Sequence, residues 1–151
     1  MTQPTVAYAG MTHLGLCSAI AAASKGFTPF GFTPDRALAA AIEAGRLPVV
    51  EPDLDALLAA HRSRISFTAD ADRLGTADLI YVAPDVPTDD RGISDLAPLD
   101  TLLDLVFAHA RPDAVIVVLS QVPPGFTRRI PRPAATRYYQ VETLIFRSEE
   151  H

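Results

Sequence analysis

The residues with the clearest chemical potential lie early in the chain, at Gly10-Met11-Thr12-His13-Leu14-Gly15. They follow a short apolar run, Val6-Ala7-Tyr8-Ala9, and precede the small-residue stretch 17–24. That order predicts a buried strand, a tight glycine turn and a helix. Such a turn aims backbone N–H groups and the positive end of a helix dipole at one point, which is the chemistry of a phosphate cradle. Strand, glycine turn and helix together are the arrangement that binds dinucleotides. The middle position of the usual G-x-G-x-x-G is Thr12 here, so a Cβ and a hydroxyl occupy a place where backbone normally approaches phosphate. His13 would add positive charge if protonated, but the helix dipole opposes protonation there, and the bland reading is a surface residue of the first turn. Glycines at a strand-to-helix turn also serve packing alone, so binding and packing are both open at this point.

Four further groups bear on the same chemistry. A dinucleotide site usually places an acidic residue about 20 positions after the glycine turn, on the ribose hydroxyls. Thr33 occupies that place and Asp35 lies two residues on. Either Thr33 caps the next helix and Asp35 serves its dipole, or one of them takes a weaker ribose hydrogen bond. Pro84 opens a polar loop, 84–92, after an apolar strand, and Ser120-Gln121 opens a second loop after another. Loops at the carboxyl ends of parallel strands are where ligands bind in open α/β sheets, although 84–92 reads equally as a solvated loop. The single cysteine, Cys17, falls within the first helix and reads as core, since nothing near it in sequence would activate a thiolate. No residue reads as catalytic, and no cluster reads as a metal site.

The elements that must position these groups follow from composition and periodicity. A chain of 151 residues with 48% hydrophobic content supports one domain with a substantial core. A net charge of −5 argues against nucleic acid or an anionic membrane as partner. One cysteine suits a reducing compartment, and no apolar run approaches the roughly 20 residues of a membrane span; the expectation is a soluble, cytoplasmic protein. Helices are expected over 13–25, 33–44, 53–62 and 94–110, with Ser94-Asp95 as a cap. In the first, Leu14, Cys17 and Ala21 share a face; in the last, Leu99, Leu102, Leu103, Val106 and Ala110 fall at helical spacing. Strands are expected over 6–9, 27–32, 65–68, 79–83, 114–119 and 138–146, with Pro29 awkward in the second because it lacks a ladder donor. The alternation predicts an α/β, Rossmann-like, doubly wound fold: a mostly parallel sheet of about six strands with helices on both faces. The domain is expected to span 1–146, with 147–151 a loose polar end.

Four stretches together resemble the NAD-binding domain of the UDP-glucose/GDP-mannose dehydrogenases, the nucleotide-sugar 6-dehydrogenases. Gly10-Met11-Thr12-His13-Leu14-Gly15-Leu16 is similar to that family's G-x-G-Y-V-G-L. The stretch from Ala44-Gly45 through Glu51-Pro52-Asp53-Leu54 resembles A-G-x-x-P-x-x-E-P-x-L. Val82 through Asp95-Leu96 is similar to V-P-T-P followed by D-G-x-x-D-L, and Ser120-Gln121-Val122-Pro123-Pro124-Gly125-Phe126-Thr127 to S-T-V-P-x-G-T-T. The departures are Thr12 for glycine, Thr33 for the ribose aspartate, Pro84 near the threonine of V-P-T-P, and Gln121 for the threonine that helps organise the catalytic water. Glu142 matches the first glutamate of P-E-F-L-R-E-G, and Phe146 stands where the second would be.

The resemblance implies a cofactor site built from Gly10, Met11, Thr12, His13, Leu14, Gly15, Thr33, Asp35, Pro84, Ser120, Gln121 and Glu142. It implies NAD as the cofactor, held weakly, with NADP the alternative. Family members oxidise a sugar C6 alcohol to a carboxylate in two NAD-dependent steps, through a thiohemiacetal on a cysteine in a later domain. The expected partners are therefore the cofactor and substrate domains or another subunit. The alternatives are a module that binds a nucleotide or protein without catalysis, or a binder of another nucleotide or of S-adenosylmethionine.

Overall fold

The computed structural model describes residues 3–140. Within them the chain forms β1 (Val6–Ala9), α1 (His13–Ser24), β2 (Phe30–Phe32), α2 (Arg36–Glu43), α3 (Leu54–Ala60), β3 (Ser66–Thr68), β4 (Leu79–Val82), α4 (Ala97–His109), β5 (Val115–Val118) and β6 (Arg137–Tyr139), with short 3-10 turns between. Every strand pair is parallel, and the order across the sheet is β3-β2-β1-β4-β5-β6. Order 3-2-1-4-5-6 is that of the doubly wound dinucleotide folds, in which the direction of winding reverses at β1. The crevice above that reversal lies between the loops that leave β1 and β4.

Alternation along the strands sorts the core into two layers. Ala7, Ala9, Phe30, Phe32, Ile80, Val82, Ile116 and Val118 face α4, which meets them with Leu99, Leu102, Leu103 and Val106. Val6, Tyr8 and Phe67 face the other way, against Leu16, Ala19, Ile20 and Ala23 of α1, Ile42 of α2, and Leu54 and Leu58 of α3. The buried stripe of α1 is therefore 16-19-20-23 rather than 14-17-21. Leu14 and Cys17 are half-buried and Ala21 is exposed. A helix so rich in alanine offers little contrast of polarity by which sequence alone could orient it.

Three element starts shift from expectation, those of β2, α2 and α4, and the end of β6 is not among the described residues. β2 is only Phe30–Phe32, because Pro29 has no N–H to extend the ladder. Helix α2 is capped by Asp35, whose carboxylate accepts from the Leu38 N–H at 3.0 Å, and not by Thr33. β6 is Arg137–Tyr139, in register with Ile116–Val118; the expected continuation to 146, with Glu142 and the loose end 147–151, lies outside the described residues. Helix α4 begins at Ala97, with the Asp95 carboxylate accepting from the Ala97 N–H at 3.0 Å.

Candidate nucleotide-binding site

The turn after β1 is fixed by two glycines. Gly10 has φ +103°, and a Cβ there would stand 2.7 Å from the Pro84 nitrogen. Gly15 lies against the same turn, where a Cβ would come within 2.0 Å of the Gly10 carbonyl oxygen. Two ladder bonds hold the turn to its neighbours: the Gly10 N–H donates to Phe32 O at 2.9 Å and the Ala83 N–H to Ala9 O at 2.8 Å. Helix α1 consequently starts close over the sheet at the β1/β4 crevice.

Thr12 is the N-cap of α1, yet its side chain does not cap. Threonine in this position ordinarily accepts a hydrogen bond from the first turn. Here the hydroxyl donates to the Ala83 carbonyl at 3.3 Å, joining the β1 and β4 loops across the crevice. No acidic residue stands in the first turn of α1. The opening N–H groups are thus left without a side-chain acceptor, at the positive end of a 12-residue helix. An anion placed there would meet directed donors.

Beside this turn lies an open cavity of about 850 Å³, within the range of small-molecule sites. Its floor is Gly10, Met11 and Thr12. One wall is Thr33, Pro34 and Leu38 from the end of β2 and the start of α2; the other is Pro84 and the face of α4 carrying Ala97, Thr101, Leu105 and Ala108. Among the described residues Asp95 and Asp104 are the charged ones that line it, so the field that would hold a phosphate comes from backbone. Thr33 is 6% exposed, and its hydroxyl accepts from the Asp35 N–H at 3.2 Å. That leaves its own proton free for an acceptor in the cavity.

Of the residues singled out in the sequence, the cavity brings together Gly10, Met11, Thr12, Thr33 and Pro84. Gly15 supports the turn from behind, and Leu14 packs against Ala83, Val117 and Leu119. His13 Nε2 lies against the Glu51 carboxylate and so ties α1 to the Glu51-Pro52 connector. Asp35 is turned to its capping bond. Ser120 is 4% exposed and donates its hydroxyl to the Pro84 carbonyl, while Gln121 is exposed; neither lines the cavity. The polar loop after Pro84 satisfies itself: Asp89 Oδ1 accepts from the N–H groups of Arg91 and Ile93, both at 2.9 Å, and Asp95 N–H donates to Pro87 O. The hydrogen bond from Ile93 is the main cause that holds the Asp89 carboxyl below its ordinary range. Burial, and then the Glu51 carboxylate, push the Cys17 thiol up, which keeps it protonated and unreactive near neutral pH.

Sequence reasoning missed the α4 wall. Ala97, Thr101, Leu105 and Ala108 recur at helical spacing beside the buried stripe, and a second uncharged row on a helix that flanks a crevice is the signal that marks them. Among the described residues, no three His, Cys, Asp or Glu side chains are placed to hold a metal ion, and no helix is long and apolar enough to cross a membrane.

The comparisons with known proteins agree with this fold. The family model described as UDP-glucose/GDP-mannose dehydrogenase family, NAD binding domain, matches residues 4–145. The chain belongs to the UDP-glucose/GDP-mannose dehydrogenase family. UDP-glucose 6-dehydrogenase of Pseudomonas aeruginosa is 28% identical over 124 residues, which is 80% of this chain and 27% of that protein. The enzyme of the same name from Rickettsia conorii is 30% identical over 123 residues, 80% of this chain and 28% of its own. Among solved structures, the UDP-D-ManNAc dehydrogenase of Pyrococcus horikoshii superposes with a TM-score of 0.83 at 21% identity, over 93% of this chain and 37% of that one; that likeness is one of fold. The chain spans little more than a quarter of the curated relatives it matches. It corresponds to their NAD-binding region, and the residues at the β1 turn and the cavity fit a nicotinamide dinucleotide: a tight glycine turn, unacceptored N–H groups at a helix start, and an apolar slot beside them.

Proposed function

We propose that this chain is the cofactor half of a nucleotide-sugar 6-dehydrogenase, binding NAD in the cavity over the β1/β4 crevice. The observation that carries the reading is the start of α1, where the capping residue Thr12, itself on the floor of the cavity, turns its hydroxyl to Ala83 and leaves the first-turn N–H groups without a side-chain acceptor. The pyrophosphate would lie on those groups. The adenosine would lie between Leu38 and the α4 face that carries Thr101 and Leu105, and the Thr33 hydroxyl would donate to its ribose. NAD supplies hydride acceptance when bound. The chain's own residues bind and orient it and exclude water from its adenine face.

Binding is weak in this reading. Thr33 lacks the carboxylate whose charge-assisted hydrogen bonds are worth roughly 1.5–3 kcal/mol, about a tenfold to hundredfold in affinity. Without that carboxylate NADP is rejected less strongly than in the family. Substrate binding and the covalent step belong to further domains or another subunit in the cytoplasm. The protonated, half-buried Cys17 does not supply a nucleophile. Calorimetric titration tests the reading: wild type should bind NAD with high-micromolar or weaker affinity, and Thr12→Gly with Thr33→Asp should bind it at least tenfold more tightly. A double variant that binds NAD no better than wild type contradicts the proposed roles of these two positions.

A further inference from the structure

We infer that this chain takes NADP in preference to NAD, with Thr33 and Arg36 meeting the 2′-phosphate. The inference rests on the dinucleotide reading above and concerns which coenzyme the site selects. In doubly wound folds an acidic residue at the end of the second strand accepts from the ribose hydroxyl of NAD, and its charge opposes a 2′-phosphate; an arginine nearby accommodates that phosphate instead. In this chain the carboxylate is replaced by a hydroxyl, and an arginine follows on the same connection, at the start of α2.

Thr33 inverts the polarity of its position. It lines the cavity, and its oxygen already accepts from the Asp35 N–H, so what it offers a ligand is a proton. A ribose hydroxyl takes that proton in a neutral hydrogen bond. A phosphate takes it in a charge-assisted one, roughly twice as strong. Arg36 is exposed, with no hydrogen bond or ion pair among the described residues. It lines a depression of about 540 Å³ that shares Leu105 with the nucleotide cavity. The acids around it each face a partner or stand apart. Asp70 accepts from the Asp72 N–H at 3.0 Å, and Asp72 lies 3.7 Å from His109 Nε2. The Asp35 carboxylate is turned to the Leu38 N–H, and Asp104 stands across the cavity on α4. Arg36 is thus the cation left to answer a phosphate on the ribose, and a guanidinium does so with two parallel hydrogen bonds.

The test is calorimetric titration of the 151-residue chain with NADP and with NAD at low and high salt. NADP should bind about fivefold or more tightly than NAD, the worth of exchanging a neutral hydrogen bond for a charge-assisted one. The preference should shrink as salt screens the phosphate. A smaller preference at low salt, or none, overturns the inference and leaves the dinucleotide reading standing. Failure of both coenzymes to bind overturns that reading and the inference with it. Arg36→Gln supplies a second readout, because Arg36 is exposed and its loss leaves no buried group unpaired. It should lower the ratio of NADP to NAD affinity at least threefold and remove its salt dependence. Thr33→Asp should reverse the preference. Retention of the full NADP preference by either variant overturns the roles given to these two side chains, and the inference falls.

Discussion

Substituting Gly15 by alanine places a methyl group where the structure has no room. Its Cβ would lie 2.0 Å from the Gly10 carbonyl oxygen and 3.2 Å from the Gly10 carbonyl carbon. Both atoms are backbone, so no side chain can rotate aside. Helix α1 must withdraw from the β1 turn by more than an ångström, and Leu16, Ala19 and Ile20, all fully buried, withdraw with it. Overpacking of this kind costs typically 1–3 kcal/mol, and rigid backbone on both sides puts this case at about 3 kcal/mol or above. For a chain of this size that corresponds to a fall in melting temperature of roughly 6–12 °C. Gly45→Ala is the control: Gly45 has φ +87° with nothing within 4 Å of the added methyl. It isolates backbone strain of about 1–2 kcal/mol. Thermal denaturation followed by circular dichroism ranks the two. If Gly15→Ala melts within about 2 °C of wild type, or above Gly45→Ala, the close approach of α1 to the β1 turn is not what sets the geometry of the site.

Three further outcomes follow from the same structure. The Asp78 carboxyl is held below its ordinary range by the Thr5 N–H at 2.7 Å and then by Arg111, so its contribution is full above the unfolded value near pH ~3.9 and is lost as pH falls through the lower folded value. Asp78→Asn should therefore lower the melting temperature at pH 7 and flatten its decline below pH ~4; an unchanged acid profile contradicts the role given to this pair. Ser120→Ala leaves the Pro84 carbonyl without its donor and should destabilise by about 1–3 kcal/mol in urea denaturation, and an unchanged midpoint contradicts the bond. Cys17 should react with iodoacetamide at pH 8 more slowly than free cysteine, because burial and Glu51 raise its pKa; a faster rate contradicts that environment.

How much of this was legible in the sequence differs from element to element. β1, β4 and β5 are short continuous apolar runs, the mark of strands buried on both faces, and they lie within a residue of where the sequence puts them. The stripe Leu99, Leu102, Leu103 and Val106 of α4 was equally plain, because charged residues alternate with it. Less legible was the choice of cap for α2. Thr33 and Asp35 both carry side-chain oxygens two residues apart, and only the folded backbone decides that the threonine accepts from Asp35 while the aspartate accepts from Leu38. The direction of the Thr12 hydroxyl could not be read at all, since its acceptor, the Ala83 carbonyl, is 71 residues away in the chain. The same holds for His13, whose partner Glu51 belongs to a connector that the sequence marks by its motif but not by what it touches. Local pattern revealed the elements; the site depends on bonds between loops that meet only when the sheet is assembled.

Backbone amide shifts of the isotope-labelled chain during an NAD titration test the central claim most directly. The account predicts saturable changes centred on the N–H groups of 11–14, on Thr33, and on Thr101 and Leu105 of α4, with a single dissociation constant. Changes confined to 122–128, or none at the β1 turn even at millimolar NAD, would contradict it.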